Sequence, residues 1–226
     1  MAPLAGRGVV IEVRLRTAGA AVSAPTVSAM ASDVPVIGLP CPDLALSTQP
    51  VRLRPWRGSD AAGLLSAFTD PDIQRFSWPN DRAYTLADAE TYLLQQEQGR
   101  RTGHEVQWAL VDSATDQLAG CVSLHQVEAE ARRASVGFWV AAHARGQGLA
   151  KTSVAVVTRW GFTTLGLARL QLTCAPDNYA SQAVAARCGF TREGLLRSHM
   201  PFKGARRDTL VFSLLDHEPV VVAHEG

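Results

Sequence analysis

His143-Ala144-Arg145-Gly146-Gln147-Gly148-Leu149-Ala150-Lys151-Thr152-Ser153 follows an apolar run at 136–140 and opens a segment of helical texture. Two glycines one residue apart let the backbone turn so that successive N–H groups face one concavity. The N-terminus of the helix behind them adds a favourable dipole, so the bend suits a phosphate-type anion. Arg145 places positive charge beside it. Spacing excludes two familiar designs. A Walker loop ending at Lys151 needs glycine at 150 and 145, where the chain has Ala150 and Arg145. A dinucleotide fingerprint counted from Gly146 needs a small residue at 151, where Lys151 stands. What remains is a strand, a short basic glycine turn and a helix, of the form R-G-x-G-x-A.

Further along, Asn178-Tyr179-Ala180-Ser181-Gln182-Ala183-Val184-Ala185-Ala186-Arg187-Cys188-Gly189-Phe190 supplies an N-x-x-S…A…GF pattern. With the loop, this stretch resembles the GNAT superfamily of acetyl-CoA-dependent N-acetyltransferases, and within it the RimJ/RimL-type branch, which acetylates protein N-termini and other amines. The flanks agree: Leu53-Arg54-Pro55-Trp56, Val136-Gly137-Phe138-Trp139-Val140, Glu193-Gly194-Leu195-Leu196-Arg197 and Arg207-Asp208-Thr209-Leu210. The resemblance spans residues 50–215.

Composition bounds the rest. At 226 residues, 46% hydrophobic and 19% charged, the chain fits one globular domain plus extra segments. A net charge of +1 and a pI near 7.8 give no broad basic face, and the arginine pairs at 100–101, 132–133 and 206–207 are short and separate. Nucleic acid is therefore not the expected partner. Cys41, Cys121, Cys174 and Cys188 show no C-x-x-C spacing and read as reduced core thiols of a cytoplasmic protein. No H-E-x-x-H motif or Cys/His cluster appears, so no metal is implied. Residues 1–48, rich in Ala, Val, Pro and Ser with Arg14 and Arg16 breaking the apolar runs, read as a disordered leader and not as a membrane span. Met30 is a candidate for the start used in the cell. The catalytic domain is expected over 49–216 and a peripheral tail over 217–226.

The periodicities alternate. A strand is expected at 50–54, then a helix capped by Ser59 or Asp60 and stopped near Asp70-Pro71. Thr85 and Asp88 approximate a capping box for a second helix ending by Gly103, with Leu86, Ala89 and Leu93 at helical spacing. Residues 106–111, 118–127 and 134–140 read as an antiparallel meander. A helix over 147–165, a strand over 169–174, a helix capped by Asp177 or Asn178 and stopped at Gly189, and strands over 195–202 and 207–214 complete the domain. The sum is α+β: a mixed, mostly antiparallel β-sheet flanked by helices, as the resemblance implies.

Attack of an amine on a thioester needs a cosubstrate cradle, a donor for the developing oxyanion, an acid for the departing thiolate and a base. The resemblance assigns acetyl-CoA to Phe138, Trp139 and Val140, to Arg145, Gly146, Gln147, Gly148, Leu149 and Ala150, and to Asn178. It implies that the strand before the loop splays from its neighbour and offers backbone groups to the pantetheine arm. Ser181, one turn after Asn178, is the candidate donor to sulfur. Taken alone, Asn178 reads equally as a helix cap and Ser181 as an ordinary first-turn residue. Many GNAT enzymes carry a tyrosine four residues before the GF pair. Here that residue is Ala185. They also carry a glutamate in the strand before the loop, where residues 134–140 have no carboxylate. Glu105 is the first candidate base, with Glu128 and His125 as alternatives. Trp56 and Trp78 are candidates to line an acceptor cleft. The expected activity is acetyl transfer to a primary amine, with a peptide N-terminus as one acceptor and a homodimer as a possible assembly. The alternatives are an enzyme that detoxifies antibiotics or polyamines and a non-catalytic acyl-CoA-binding module.

Overall fold

The computed structural model describes residues 38–46 and 49–221. In chain order its elements are β1 (Leu44–Ala45), β2 (Val51–Pro55), α1 (Ala61–Ala67), α2 (Pro71–Ser77), α3 (Leu86–Arg101), β3 (Glu105–Asp112), β4 (Leu118–Glu128), β5 (Arg133–Val140), α4 (Leu149–Thr164), β6 (Arg169–Cys174), α5 (Tyr179–Arg187), β7 (Thr191–Phe202) and β8 (Ala205–Leu215). The strands form one sheet in the order β1-β2-β3-β4-β5-β6-β8-β7. Every neighbouring pair is antiparallel except β5 and β6, whose parallel pairing requires the crossover that α4 provides.

Strand alternation divides the core between the two faces of the sheet. On one face Val106, Trp108, Leu110, Val122, Leu124, Val136 and Phe138 pack with Val154, Val157 and Trp160 of α4. On the other, Ala109, Val111, Cys121 and Trp139 pack with Leu64, Phe68, Ile73, Phe76, Ala89 and Tyr92 of the first three helices. Phe138 and Trp139 thus bury their side chains on opposite faces, while their backbone stays in the sheet plane. Arg54, fully buried on β2, is held by both oxygens of Asp60 at 2.8 Å and ties the sheet to the start of α1.

The structure reproduces the capping box of α3. Thr85 Oγ1 accepts from the Asp88 N–H, and Asp88 Oδ2 accepts from the Thr85 N–H at 2.9 Å. The buried stripe of that helix, however, is Ala89, Tyr92 and Gln96, whereas Leu86 is 45% exposed.

Three further expectations need correction. The domain boundary at residue 49 falls too late. Within the leader expected over 1–48, β1 pairs with β2, Leu46 is buried in the core, and Trp108 Nε1 donates to the Pro42 carbonyl at 2.8 Å. The remainder of that leader, Met30 included, lies outside the described residues. Asp70-Pro71 starts a helix as well as ending one: Asp70 Oδ1 accepts from the Ile73 N–H at 3.0 Å, and Pro71 sits at the first helical position, where a missing N–H costs nothing. The helix expected from residue 147 begins at Leu149, because Gly146 and Gly148 have φ of +80° and +76°. The described part of the tail is exposed at His217, Pro219 and Val221 yet tethered to the domain. Val220 lies against the core, and the Val221 N–H donates to the Cys188 carbonyl.

Candidate active site

The site begins with an interruption in the sheet. Parallel pairing of β5 with β6 runs from Arg133↔Arg169 to Val136↔Leu172 and stops there, although β5 continues to Val140 and β6 to Cys174. On its other side, β5 stays paired with β4 as far as Gly120↔Val140. The two strands therefore separate over residues 137–140. The Ala141 N–H donates to Ala119 on the β4 side, so by strand alternation the backbone groups of Phe138 and Val140 face the opening.

The bend that follows β5 lies at the mouth of this gap. A Cβ added at Gly146 or Gly148 would meet nothing within 4 Å, and both residues hold the left-handed conformation that glycine adopts without steric cost. Gly148 is the N-cap of α4, yet no side chain caps that helix and its first turn holds no acidic residue. Its leading N–H groups are available to an external anion, so the loop fits a diphosphate on its backbone geometry.

Arg145 departs from its expected part. Its guanidinium donates to Asp70 Oδ1 at 2.6 Å, reaches Asp72 at 3.4 Å, and donates through Nε to the Val140 carbonyl at 3.2 Å. Its charge is matched by two carboxylates at the start of α2. Burial pushes the Asp70 carboxyl up, but the hydrogen bonds from Arg145 and the Ile73 N–H outweigh it and hold the group below its ordinary value. In this conformation Arg145 clamps the open end of β5 to α2.

Across the gap, α5 starts just beyond the end of β6. Asn178 is buried, and its Oδ1 accepts from the Ser181 N–H at 3.1 Å, so the capping reading of Asn178 holds in the structure. Ser181 is 1% exposed in the first turn. The far end of the helix stops at Gly189, with φ +92°, and Cys188 Sγ donates to the Lys151 carbonyl, bringing α5 against the start of α4. Burial pushes the Cys188 thiol up to about 12, so it stays neutral.

On the α3 face of the sheet, a cavity of about 520 Å³ is lined by Glu105, His125 and Glu128 together with Phe138 and Trp139. All three candidate bases thus converge on one space beside the splayed strand. Glu105 and His125 face each other directly across the β3–β4 ladder. A Cβ on Gly137 would collide with Ser123 Oγ and come within 3.1 Å of the His125 ring, so the imidazole lies over the glycine at which β5 leaves β6. Glu105 packs against Gly99 of α3. Glu128 is engaged by Arg133 at 2.8 Å at the rim.

Sequence reasoning named Trp139 for its backbone but not its indole, and missed the rest of this lining. Trp139 Nε1 is a buried donor with no hydrogen-bond partner. Tyr92 Oη donates to Gln107 Oε1 at 2.5 Å, and Cys121 Sγ reaches the same oxygen at 3.5 Å. Burial pushes both the Tyr92 hydroxyl and the Cys121 thiol up, so this network is neutral. Only the face alternation of β3 and β4, which needs their register, would have found it. Of the two tryptophans expected at an acceptor cleft, Trp78 is core: it is 1% exposed, donates to the Arg82 carbonyl and packs edge-on against Tyr84. Trp56 lines a second cavity. Among the described residues no helix is long and apolar enough to cross a membrane, and no three His, Cys, Asp or Glu side chains are grouped to hold a metal.

Comparison with known proteins agrees with this geometry. Residues 51–191 match the model of the acetyltransferase (GNAT) domain. An uncharacterized N-acetyltransferase of Bacillus subtilis (strain 168), YoaA, is 26% identical over 75% of this chain and 96% of its own. A ribosomal-protein-serine acetyltransferase of Escherichia coli (strain K12) is 30% identical over 36% of this chain and 46% of its own. The solved structure of Mycobacterium smegmatis RimJ in complex with CoA-disulfide superposes with a TM-score of 0.66 at 25% identity, covering 73% of this chain and 81% of that one.

Proposed function

Because the chain belongs to the acetyltransferase (GNAT) family and is an acetyl-CoA-dependent N-acetyltransferase, we propose that its acceptor is the N-terminal α-amine of a peptide or protein, acetylated in the cytoplasm by direct attack in a ternary complex. The observation that carries this reading is the end of β5–β6 pairing at Val136↔Leu172, immediately before the bend at Gly146 and Gly148. The relative named as a ribosomal-protein-serine acetyltransferase and the free, mostly buried cysteines support the choice of acceptor and compartment.

Each part of the chemistry falls to a particular group. The amides of residues 146–150 hold the diphosphate of acetyl-CoA, and the Phe138 and Val140 backbone pairs with the pantetheine arm along the open edge of β5. The bound cosubstrate supplies a thioester-activated acetyl group. The Phe138 N–H, fixed in the sheet and facing the gap, stabilises negative charge on the carbonyl oxygen. An α-amine titrates at about 7.7–8.0, so a base must take its proton near neutral pH. His125 does so from its place over Gly137, opposite Glu105 on the neighbouring strand. Ser181 donates to the departing sulfur.

A polyamine acceptor would be favoured by an acidic mouth, but Glu128 is neutralised by Arg133. The test is release of free thiol from acetyl-CoA with a panel of peptides, spermidine and aminoglycosides. We expect peptides to be consumed, and Ser181→Ala to lower kcat about 10- to 100-fold, the worth of one hydrogen bond to a charged group, with affinity for coenzyme A unchanged. Consumption of small amines alone would overturn the peptide assignment. Coenzyme A binding with no acceptor consumed would make the protein an acyl-CoA-binding module.

A further inference from the structure

A second cavity, of about 580 Å³, lies on the same face of the sheet between α3, the end of β2 and the segment around Cys41. Trp56, Leu93, Gln96 and Gln107 are among its walls, and Gln96 and Gln107 also line the first cavity. The two spaces therefore meet at those two side chains.

The new cavity carries an unusual pair of atoms. Trp56 Nε1, which can only donate, and Gln96 Oε1, which can only accept, are both buried without a hydrogen-bond partner. Gln96 is 8% exposed, on the inward stripe of α3. Buried polar groups are nearly always satisfied, because an unpaired one has lost its bonds to water without replacement. A ligand presenting a C=O beside an N–H would relieve both, and a peptide unit carries that pair. A polyamine carries donors alone and would leave the indole N–H unmet.

Position agrees with chemistry. Gly137 lies on β5 and Trp56 at the end of β2, three strand spacings apart across the sheet, or about 14–15 Å at ~4.8 Å per strand. An extended chain advances about 3.3–3.6 Å per residue and covers that span in about four residues. We infer that the cavity between Trp56 and Gln96 is a second acceptor subsite that grips the main chain of the acceptor peptide three to four residues in from the reacting amine. This rests on the proposed placement of that amine beside Gly137 and His125.

The test uses peptide amides of one to five residues with the full-length protein and acetyl-CoA, in wild type, Trp56→Phe and Gln96→Met. Trp56→Phe removes the N–H and keeps an aromatic ring. Gln96→Met removes the acceptor and keeps the length. In wild type KM should fall about tenfold or more between one and four residues. Trp56→Phe should abolish that gain while leaving kcat, and KM for the one-residue amide, unchanged, and Gln96→Met, whose side chain also borders the first cavity, should abolish the gain with length. A KM independent of length, or a variant effect equal at all lengths, would overturn the subsite and leave amine acetylation standing. If no amine is consumed, the same peptides are titrated into the coenzyme A-loaded protein by calorimetry. Four-residue binding that Trp56→Phe weakens then upholds the subsite while the transfer reading falls, and binding indifferent to Trp56→Phe overturns it.

Discussion

Helices α4 and α5 both begin at the opening between β5 and β6, and they treat their first-turn amides in opposite ways. At α5 the side chain of Asn178 accepts from the Ser181 N–H, and the helix start is closed from within. At α4 the N-cap is Gly148, no side chain caps the helix, and the two left-handed glycines leave open space around them. The same backbone chemistry is consumed at one helix and presented at the other. A capped terminus positions side chains, here Ser181, whereas an uncapped one beside positive-φ glycines is a receptor for anions.

The contrast can be broken most forcefully at Gly148. A valine there must hold φ near +76°, at about 1–2 kcal/mol, and its side chain enters the space kept clear for the ligand. Gly148→Val should weaken coenzyme A binding about tenfold or more by calorimetry, and unchanged affinity would remove the loop from the site. The converse change at α5, Asn178→Ala, should cost about 1 kcal/mol in denaturant unfolding, as cap removal does, with a much smaller effect on coenzyme A affinity. If Asn178→Ala instead abolished cofactor binding at full stability, Asn178 would be a ligand contact first and a cap second.

The smallest effect should come from acid. The Asp70 carboxyl sits below its ordinary value of 3.8 in the folded protein, so its contribution to stability is complete above that pH and is lost as pH falls below it. Asp72 and the Val140 carbonyl still hold Arg145, so the loss should be partial. Acid unfolding of Asp70→Asn should therefore show a weaker pH dependence than wild type below pH 4. Identical profiles would mean that the Arg145 clamp does not persist in solution.

Much of this contrast is local and so was legible in the residues. The Thr85 box, the Asn178 cap, the Gly189 stop and the strand at 169–174 are each fixed by a few consecutive side chains. The anion-binding bend, likewise, is written in two glycines. What sequence could not supply is non-local. Arg145 reads as free charge until α2, more than 70 residues earlier in the chain, brings Asp70 and Asp72 to it. Asp70-Pro71 carries the same letters whether it ends one helix or starts the next. The strand at 44–45 is too short to show a period and is held by β2 and by the indole of Trp108. The meeting of Glu105 with His125 depends on the β3–β4 register, and the gap at residues 137–140 on a pairing that stops.

The central claim is that backbone amides at the bend before α4 grip coenzyme A. Titration of the isotopically labelled protein with coenzyme A, followed through its amide resonances, tests it most directly. The amides of residues 146–151, with Phe138 and Val140 on the open edge of β5, should shift most, and that of Ser181, already bonded to Asn178, should shift less. Saturating coenzyme A that left the resonances of 146–151 in place would contradict the account.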